Sequence, residues 1–104
     1  MRGMATTWLI TRHPGAVEWM RRCGIRSDVH IPHLDIAKVS RGDTVIGTLP
    51  VQLIAKICER EARYLHLSLN IPAEWRGKEL SADELEKCAA TLEGHYARKT
   101  ADEI

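Results

Sequence analysis

Apolar and polar positions follow two different periods along the chain, which predicts strands alternating with helices. Four short segments are apolar or alternate at every second residue, the spacing that is typical of strands. Pro32 lies in the second segment and indicates an edge strand, because proline lacks the backbone donor that a central strand needs. The four predicted strands are residues 7–11, 28–34, 44–48 and 64–71.

Between the strands, apolar residues recur every three or four positions, as they do in helices. Gly24 is expected to end the first helix as a C-terminal cap, and Thr48 to cap the second. Residues 81–84 read SADE, a capping box that begins the third helix. That helix would carry Leu85 and Leu92 on its buried face. The predicted helices are residues 16–23, 51–61 and 82–97.

This order of elements predicts an α/β fold: a Rossmann-like three-layer sandwich with a small, mostly parallel four-stranded sheet and about three helices. Residues 35–43 are too short for a crossover helix, which favours the strand order 2-1-3-4. In that order the first and third strands are neighbours, and their following helices leave on opposite faces. Such a switch point opens a crevice at the carboxyl ends of both strands. TRHPG (residues 11–15) and GTLP (residues 47–50) would line it.

Composition narrows the functional classes. The 104 residues form one predicted domain, residues 1–104, with flexible tails at 1–6 and 98–104. A net charge of +1 argues against a broad basic face for long nucleic acid, so an anion must be held by a local site. The three cysteines include no CxxC pair, which argues against a zinc knuckle and a disulfide framework. The first apolar run is too short for a signal peptide or a membrane span, so a cytoplasmic protein without membrane contact is expected.

TRHPG carries the sharpest candidate chemistry, because the helix N-termini at the crevice would point free N–H groups toward an anion. Arg12 could clamp a phosphate through two hydrogen bonds, and His13 could transfer a proton near neutral pH. Thr11 could donate a hydrogen bond at the end of the strand. The alternative is that Arg12 and His13 are ordinary exposed loop residues.

Two further turns are predicted at the same edge of the sheet. Gly47 allows a ligand to approach the backbone closely, whereas Thr48 could serve only as a helix cap. After the last predicted strand, Trp75 could stack on a base and Arg76 could add a second cation. The alternative for that segment is an ordinary loop with one packed tryptophan.

His30, His33 and Asp35 are close in sequence but lack the spacing of a metal site. His30 and His33 would face opposite sides of a strand, because side chains alternate along it. No HExxH, Walker or dinucleotide-binding motif occurs in the chain. Neither a metal nor a cofactor is therefore expected.

Several stretches together resemble one family. They are TWLITRHPGAVEW, HLD, GDTVIGTLPVQLIAKIC, YLHLSL and RGKELS, spread over residues 7–85. They are similar to the small Csx-type CRISPR-associated accessory proteins of type III systems, which are related to Rossmann-like CARF domains. The resemblance implies a homodimer that binds a cyclic oligoadenylate across its two-fold axis.

The resemblance also implies a metal-independent ring nuclease that opens cyclic tetra-adenylate and so ends an antiviral signal. A ribose 2′-hydroxyl would attack its neighbouring phosphate and leave linear products with 2′,3′-cyclic phosphate ends. The motif positions carried over to this chain are Thr11, Arg12, His13, Gly15, Gly47, Thr48, Arg76, Gly77 and Glu79.

Within that set, the expected catalytic residues are Arg12 at the transition-state phosphate, His13 for proton transfer, and Thr11. The expected ligand-binding residues are Gly15, Gly47, Thr48, Trp75, Arg76, Gly77 and Glu79. Three alternatives stay open at this point. One is a non-catalytic cyclic-oligoadenylate sponge or sensor, and another is a mononucleotide-binding interaction module. The third is a metal-dependent phosphodiesterase that uses His30, His33 and Asp35.

Overall fold

The computed structural model describes residues 5–104, so residues 1–4 of the predicted N-terminal tail lie outside the described part. Residues 98–104 form neither helix nor strand. No helix in the described part is long and apolar enough to cross a membrane. The strands and helices are β1 (Thr7–Ile10), α1 (Pro14–Arg22), β2 (Val29–Ile31), β3 (Thr44–Gly47), α2 (Val51–Glu59), β4 (Arg63–Ser68), α3 (Ala82–Lys87) and β5 (Thr91–His95).

The strands form one sheet in the order β2-β1-β3-β4-β5. The first four are mutually parallel, which confirms the predicted α/β class and the predicted order of those strands. A short 3₁₀ helix, Ile36–Lys38, takes the place of a full crossover helix between β2 and β3. β2 spans only the three residues before Pro32 and forms an edge of the sheet, as that proline predicts.

The predicted helix over residues 82–97 is wrong beyond its first half. The capping box at Ser81 and Glu84 begins α3 as predicted, but α3 ends at Lys87. Ala89 then adopts a left-handed backbone with φ of 57°, which turns the chain back toward β4. Residues 91–95 pair antiparallel with β4, with Leu92 opposite Leu67. Leu92 thus still packs against the core, but from a strand.

Two apolar layers cover the two faces of the sheet. On one face, Leu9 of β1 and Ile46 of β3 pack with side chains from α1 and α3. On the other face, Trp8 and Val45 pack with side chains from α2. The helices that follow β1 and β3 therefore leave on opposite faces. This arrangement is the predicted switch point, and it lies between β1 and β3.

A buried carboxylate holds the opposite edge of the sheet together. Asp43 is 3% exposed and precedes β3 directly. Its oxygens accept hydrogen bonds from the Thr6 and Ser40 backbone N–H groups and from the Trp8 indole, at 2.9, 2.9 and 3.0 Å. Burial raises the pKa of Asp43, but these three donors outweigh it and leave the pKa below its ordinary value.

We expect Asp43→Asn to lower the free energy of unfolding at neutral pH by about 2 kcal/mol, because an amide nitrogen cannot accept from the buried donors. The lowered folded-state pKa means that the carboxylate stabilises the protein above the unfolded pKa of about 4. That contribution disappears as the pH falls through the folded-state pKa. Urea unfolding of both proteins across acidic pH should therefore show the two stabilities converging. A difference that stays constant at low pH would contradict this role.

Candidate functional site

The turns after β1 and β3 lie side by side and share one cavity of about 320 Å³. Thr11 and His13 reach it from the first turn, and Gly47 and Thr48 reach it from the second. These residues meet because parallel neighbours bring their carboxyl ends to the same edge of the sheet. The structure thus brings together four of the residues that the sequence marked as candidates.

The cavity has apolar walls and polar groups where it meets solvent. Thr48, His13 and the unpredicted Lys78 are exposed polar residues on its lining. Thr11 is partly buried beside them. Such a cavity suits a flat apolar group whose polar substituents stay near the opening. The apolar lining residues are Leu9, Ile10, Ala16, Met20, Leu67, Leu69, Ile71, Leu80 and Leu85.

Arg12 lies in a second, shallow depression next to the cavity. Its neighbours there are His13, Gly77, Lys78 and Glu79. His13 and Lys78 line both the cavity and this depression, so the two are continuous. Within residues 5–104, the exposed Arg12 guanidinium has neither a salt bridge nor a hydrogen bond. It is therefore free to bind an anion that extends from the cavity into the depression.

Trp75 and Arg76 line neither the cavity nor the depression. The Lys78 ammonium lies 4.6 Å from the centroid of the Trp75 ring, so a protein cation already covers one face of that indole. Arg76 is exposed on the loop after the 3₁₀ helix Ala73–Trp75. The segment therefore contributes Gly77, Lys78 and Glu79 to the depression rather than its tryptophan.

The turn after β1 is held by its own polar groups. The Thr11 hydroxyl accepts a hydrogen bond from the His13 backbone N–H at 3.1 Å, which leaves its own hydrogen able to donate. The His30 ring donates from Nε2 to the Thr11 carbonyl at 2.9 Å. His13 is the N-cap residue of α1, and its side chain does not cap the helix. His13 thus presents its imidazole to the cavity instead of to its own helix.

Two of the three residues considered for a metal have separate structural roles. His30 supports the first turn, while Asp35 accepts from the Ala37 N–H at 3.1 Å and caps the 3₁₀ helix Ile36–Lys38. In the described part of the chain, no three histidine, cysteine or acidic side chains form a group that could hold a metal ion. His30, His33 and Asp35 therefore do not form such a cluster.

The prediction that Thr48 caps α2 is wrong. The N-cap residue is Pro50, which has no side-chain cap, and Thr48 lies free on the cavity lining. Proline at this position presets an extended entry into the helix, so a threonine cap two residues earlier is not needed. Thr48 can therefore contact a ligand.

Tyr64, which the sequence did not mark, holds the turn after β3. Its hydroxyl donates to the Gly47 carbonyl at 3.0 Å and accepts from the Leu49 N–H at 2.9 Å. The side chain is 1% exposed, and burial raises the pKa of its phenol, so the hydroxyl stays neutral and able to donate. Gly47 cannot be replaced freely, because a Cβ there would lie 3.0 Å from the Ile10 carbonyl oxygen.

We expect Tyr64→Phe to lower the free energy of unfolding by about 1–2 kcal/mol, because the Gly47 carbonyl and Leu49 N–H lose their partner without a change in side-chain shape. Chemical denaturation measures this directly. Tyr96→Phe is the matched control, since Tyr96 is 75% exposed, and it should change stability by less than about 0.5 kcal/mol. Equal effects of the two substitutions would contradict the assigned role of Tyr64.

Lys78 is the second residue that the sequence did not mark. Its ammonium lies 2.5 Å from the Glu84 Oε2 atom. The ammonium, followed by the Ser81 backbone N–H, holds the pKa of Glu84 below its ordinary value. Glu84 also accepts from Ser81 in the capping box, so one carboxylate both begins α3 and restrains the lysine at the cavity. The sequence placed this loop at the same edge of the sheet, but nothing in it distinguished Lys78 from Arg76 as the cation that reaches the first turn.

A family model matches residues 8–98 of the chain. The family is described as "Putative CRISPR-associated protein (Cas_VVA1548)". The match includes both turns that line the cavity and the segment that carries Lys78. Searches of curated proteins and of solved structures found no match.

Proposed function

The chain belongs to this CRISPR-associated family, and on that premise we propose that it is a ring nuclease of type III CRISPR systems. It binds a cyclic oligoadenylate, most naturally cyclic tetra-adenylate, and opens the ring without a metal. The products are linear oligoadenylates with 2′,3′-cyclic phosphate ends, and their formation switches off antiviral signalling. The observation that carries the proposal is the shared cavity between the turns after β1 and β3.

The cavity and the depression supply different parts of a nucleotide site. The apolar walls suit a base, whereas Arg12 and Lys78 in the adjoining depression suit the phosphate that follows it. α1 and α2 begin at the two turns, and the first N–H groups of a helix have no partner within it. These N–H groups and the positive ends of both helices favour a bound phosphate.

The proposed reaction is an in-line displacement at phosphorus. The ribose 2′-oxygen bonds to the adjacent phosphorus and loses its proton, while the bond from phosphorus to the 5′-oxygen breaks and that oxygen gains a proton. Arg12 stabilises the charge on the non-bridging oxygens. His13 transfers a proton, and Thr11 and Thr48 orient the ring. The chemistry consumes no water and needs no cofactor.

A homodimer completes the proposed site. Cyclic tetra-adenylate carries four phosphates in a ring, whereas one subunit offers a single cavity with its depression. A two-fold axis would present the same cationic surface to both halves of the ring. The partners of the protein in this proposal are thus the cyclic oligoadenylate and a second copy of the chain, with no role for long nucleic acid or a membrane.

We expect Lys78→Met to weaken binding of cyclic tetra-adenylate by about tenfold or more, because a charged hydrogen bond to phosphate is lost. Glu84→Gln should bind the ring at least as tightly as the wild type, since glutamine can still close the capping box but no longer restrains the ammonium. Calorimetric titration at fixed salt measures both affinities. Lys87→Met, an exposed lysine at the end of α3, is the matched control. Unchanged affinity in Lys78→Met would remove Lys78 from the site.

A non-catalytic sponge is the second candidate. His13 is the one imidazole among the described residues that lines the cavity or the depression. An in-line displacement uses both a base and an acid, so a single imidazole also fits a site that binds the ring without opening it.

The test is incubation of purified protein with radiolabelled cyclic tetra-adenylate and cyclic hexa-adenylate in the presence of EDTA. Linear products from one ring support the ring nuclease, and tight retention of an intact ring supports the sponge. His13→Ala should then abolish cleavage but retain binding if His13 transfers the proton. Indifference to both rings would overturn the assignment, and activity lost only with EDTA would indicate a metal-dependent phosphodiesterase.

A further inference from the structure

A second group of titratable side chains lies on the other face of the sheet, away from the cavity. The β4–β5 pairing places His66 opposite Glu93 and Tyr64 opposite His95. Side chains that are directly opposite in an antiparallel pair point to the same face. Ser68 lies on that face as well, two residues after His66. The five side chains form a polar row beside α2, which we call the β4–β5 row.

The hydrogen bonds in this row favour one assignment of the ring hydrogens. The single hydroxyl hydrogen of Tyr64 is donated to the Gly47 carbonyl. The 2.7 Å contact between the hydroxyl and His66 Nδ1 therefore needs a hydrogen on Nδ1. In neutral His66 the Nε2 atom is then left with a free lone pair, which makes it a proton acceptor.

His95 has the complementary arrangement. Its Nε2 atom lies 3.3 Å from the Glu93 Oε1 atom, and a carboxylate can only accept, so Nε2 carries a hydrogen. The Ser68 hydroxyl also donates to the same oxygen at 2.7 Å. The Ser68 hydroxyl, followed by the His95 ring, holds the pKa of Glu93 below its ordinary value, so the carboxylate stays charged. The Glu93 carboxylate therefore orients the His95 ring with Nε2 as the donor.

The two imidazoles lie close together, and the His95 ring is the more exposed of the two. Their ring centroids are 5.8 Å apart and the rings are nearly perpendicular. The His95 and Glu93 side chains are about half exposed, at 51% and 53%. His95 lines a groove whose other titratable or charged lining residues are Cys58, Glu61, Arg63, Tyr64 and Tyr96. His66 is partly buried behind His95 and does not line this groove.

We propose that His66 and His95 form a second active site, which hydrolyses nucleoside 2′,3′-cyclic phosphates to phosphomonoesters. An acceptor and a donor imidazole close together can serve both oxygens of one displacement at phosphorus without a metal. The inference rests on the proposed function in one respect, because the proposed ring opening generates the 2′,3′-cyclic phosphate ends that this second site would hydrolyse.

The step balances with one water. His66 Nε2 accepts a proton from water as the water oxygen bonds to phosphorus. The bond between phosphorus and one ribose oxygen breaks, and that oxygen takes a proton from the His95 imidazolium. The water oxygen keeps its second hydrogen, so the product forms with one negative charge, like the substrate, and gains a second charge when that hydrogen is lost to solvent, with a pKa of about 6. Glu93 therefore repels the product more strongly than the substrate, which favours release.

The experiment uses the whole chain with adenosine 2′,3′-cyclic phosphate and EDTA, and follows the monoester by phosphorus NMR. The wild type should form it, and His66→Gln and His95→Gln should each lower the rate by about 100-fold or more. His33→Gln, another exposed histidine, should keep the wild-type rate. No conversion by the wild type between about pH 5 and 8 would overturn the proposal. Full activity in a variant that carries both His66→Gln and His95→Gln would overturn it as well.

The pH profile separates a chemical role from a structural one. A displacement that needs one free imidazole as base and one protonated imidazole as acid has a bell-shaped pH dependence, so the wild-type rate should fall at both low and high pH. His95→Gln should lose the high-pH decline and His66→Gln the low-pH decline. If His66→Gln fails to fold, since it contacts Tyr64, the edge-strand variant His95→Gln still decides the question, because an unaltered profile overturns the proposal.

The small substrate keeps this test independent of ring opening. Hydrolysis of the mononucleotide without cleavage of cyclic tetra-adenylate would support the second active site and contradict the proposed ring-nuclease function. A wild type that opens the ring but leaves both its 2′,3′-cyclic ends and the mononucleotide intact would overturn this inference alone.

Discussion

Replacing Arg12 with alanine should lower the rate of ring opening by about 10²–10³-fold, because in the proposed mechanism its guanidinium stabilises charge on the scissile phosphate. The free energy of unfolding should change by less than about 0.5 kcal/mol. Arg12 is exposed and has no salt bridge within residues 5–104. Its removal therefore leaves no buried partner unpaired. Single-turnover cleavage of cyclic tetra-adenylate and urea unfolding measure the two quantities.

Arg26→Ala provides the matched control, since Arg26 is exposed between α1 and β2 and lines neither the cavity nor the depression. It should keep the wild-type rate and stability. If Arg12→Ala cleaves as fast as Arg26→Ala, the transition state does not depend on the turn after β1. If both variants weaken binding equally, the cause is general charge rather than the site.

Replacing Gly15 with alanine should lower the free energy of unfolding by about 3 kcal/mol, the upper end of the usual cost of overpacking. A Cβ at Gly15 would lie only 1.9 Å from the Leu80 carbonyl oxygen, and a backbone atom cannot move aside alone. α1 would have to shift away from Leu80 and Ser81, which lead into α3. The cavity lies between these segments, so binding of the ring should also be lost.

Gly94→Ala separates this steric effect from the general effect of replacing glycine. A Cβ at Gly94 would meet only the Leu65 Cδ2 atom, at an ordinary contact distance of 3.8 Å. We therefore expect Gly94→Ala to unfold at nearly the wild-type temperature, well above Gly15→Ala. Thermal unfolding of the three proteins tests this order. Equal melting temperatures for the two variants would show that α1 does not pack against Leu80 as described.

The strand order could be predicted because it depends on features that short stretches of sequence carry. Residues 35–43 are too few for a crossover helix, and Pro32 belongs at an edge. The alternation of Trp8, Leu9 and Ile10 supplies both faces of a buried strand, and the structure places Trp8 and Leu9 in opposite layers. The switch point between β1 and β3 follows from that order.

The end of the chain could not be predicted in the same way. Residues 82–97 contain Leu85, Cys88 and Leu92 at helical spacing. The competing structure is a strand over residues 91–95, which depends on pairing with the exposed edge of β4. Backbone pairing with a distant strand outweighs a local periodicity, and no short-range pattern reports it. Ala89 shows this clearly, because alanine gives no warning of a positive φ.

The candidate site likewise contains residues that could be predicted from the sequence and residues that could not. Thr11 and Thr48 could be named because each follows a strand directly. Gly47 ends β3 and His13 precedes α1, and the structure gathers all four residues around one cavity. The position of the loop after β4 could be predicted, but not that Lys78 rather than Arg76 faces the first turn, since that depends on how the loop packs. Tyr64 was missed for a related reason. Its alternation correctly indicated a buried side chain, but the partners of its hydroxyl lie at the end of the neighbouring strand and in the turn that follows it.

The most direct measurement is a titration of uniformly ¹⁵N-labelled protein with cyclic tetra-adenylate, followed by backbone amide NMR. If the two turns hold one anion together, the amides of Gly15, Gly47 and Thr48 shift along a single binding curve. The amides of β5 stay in place at ring concentrations that saturate those shifts. Shifts confined to one turn, or found only in β5, would contradict a shared site between β1 and β3.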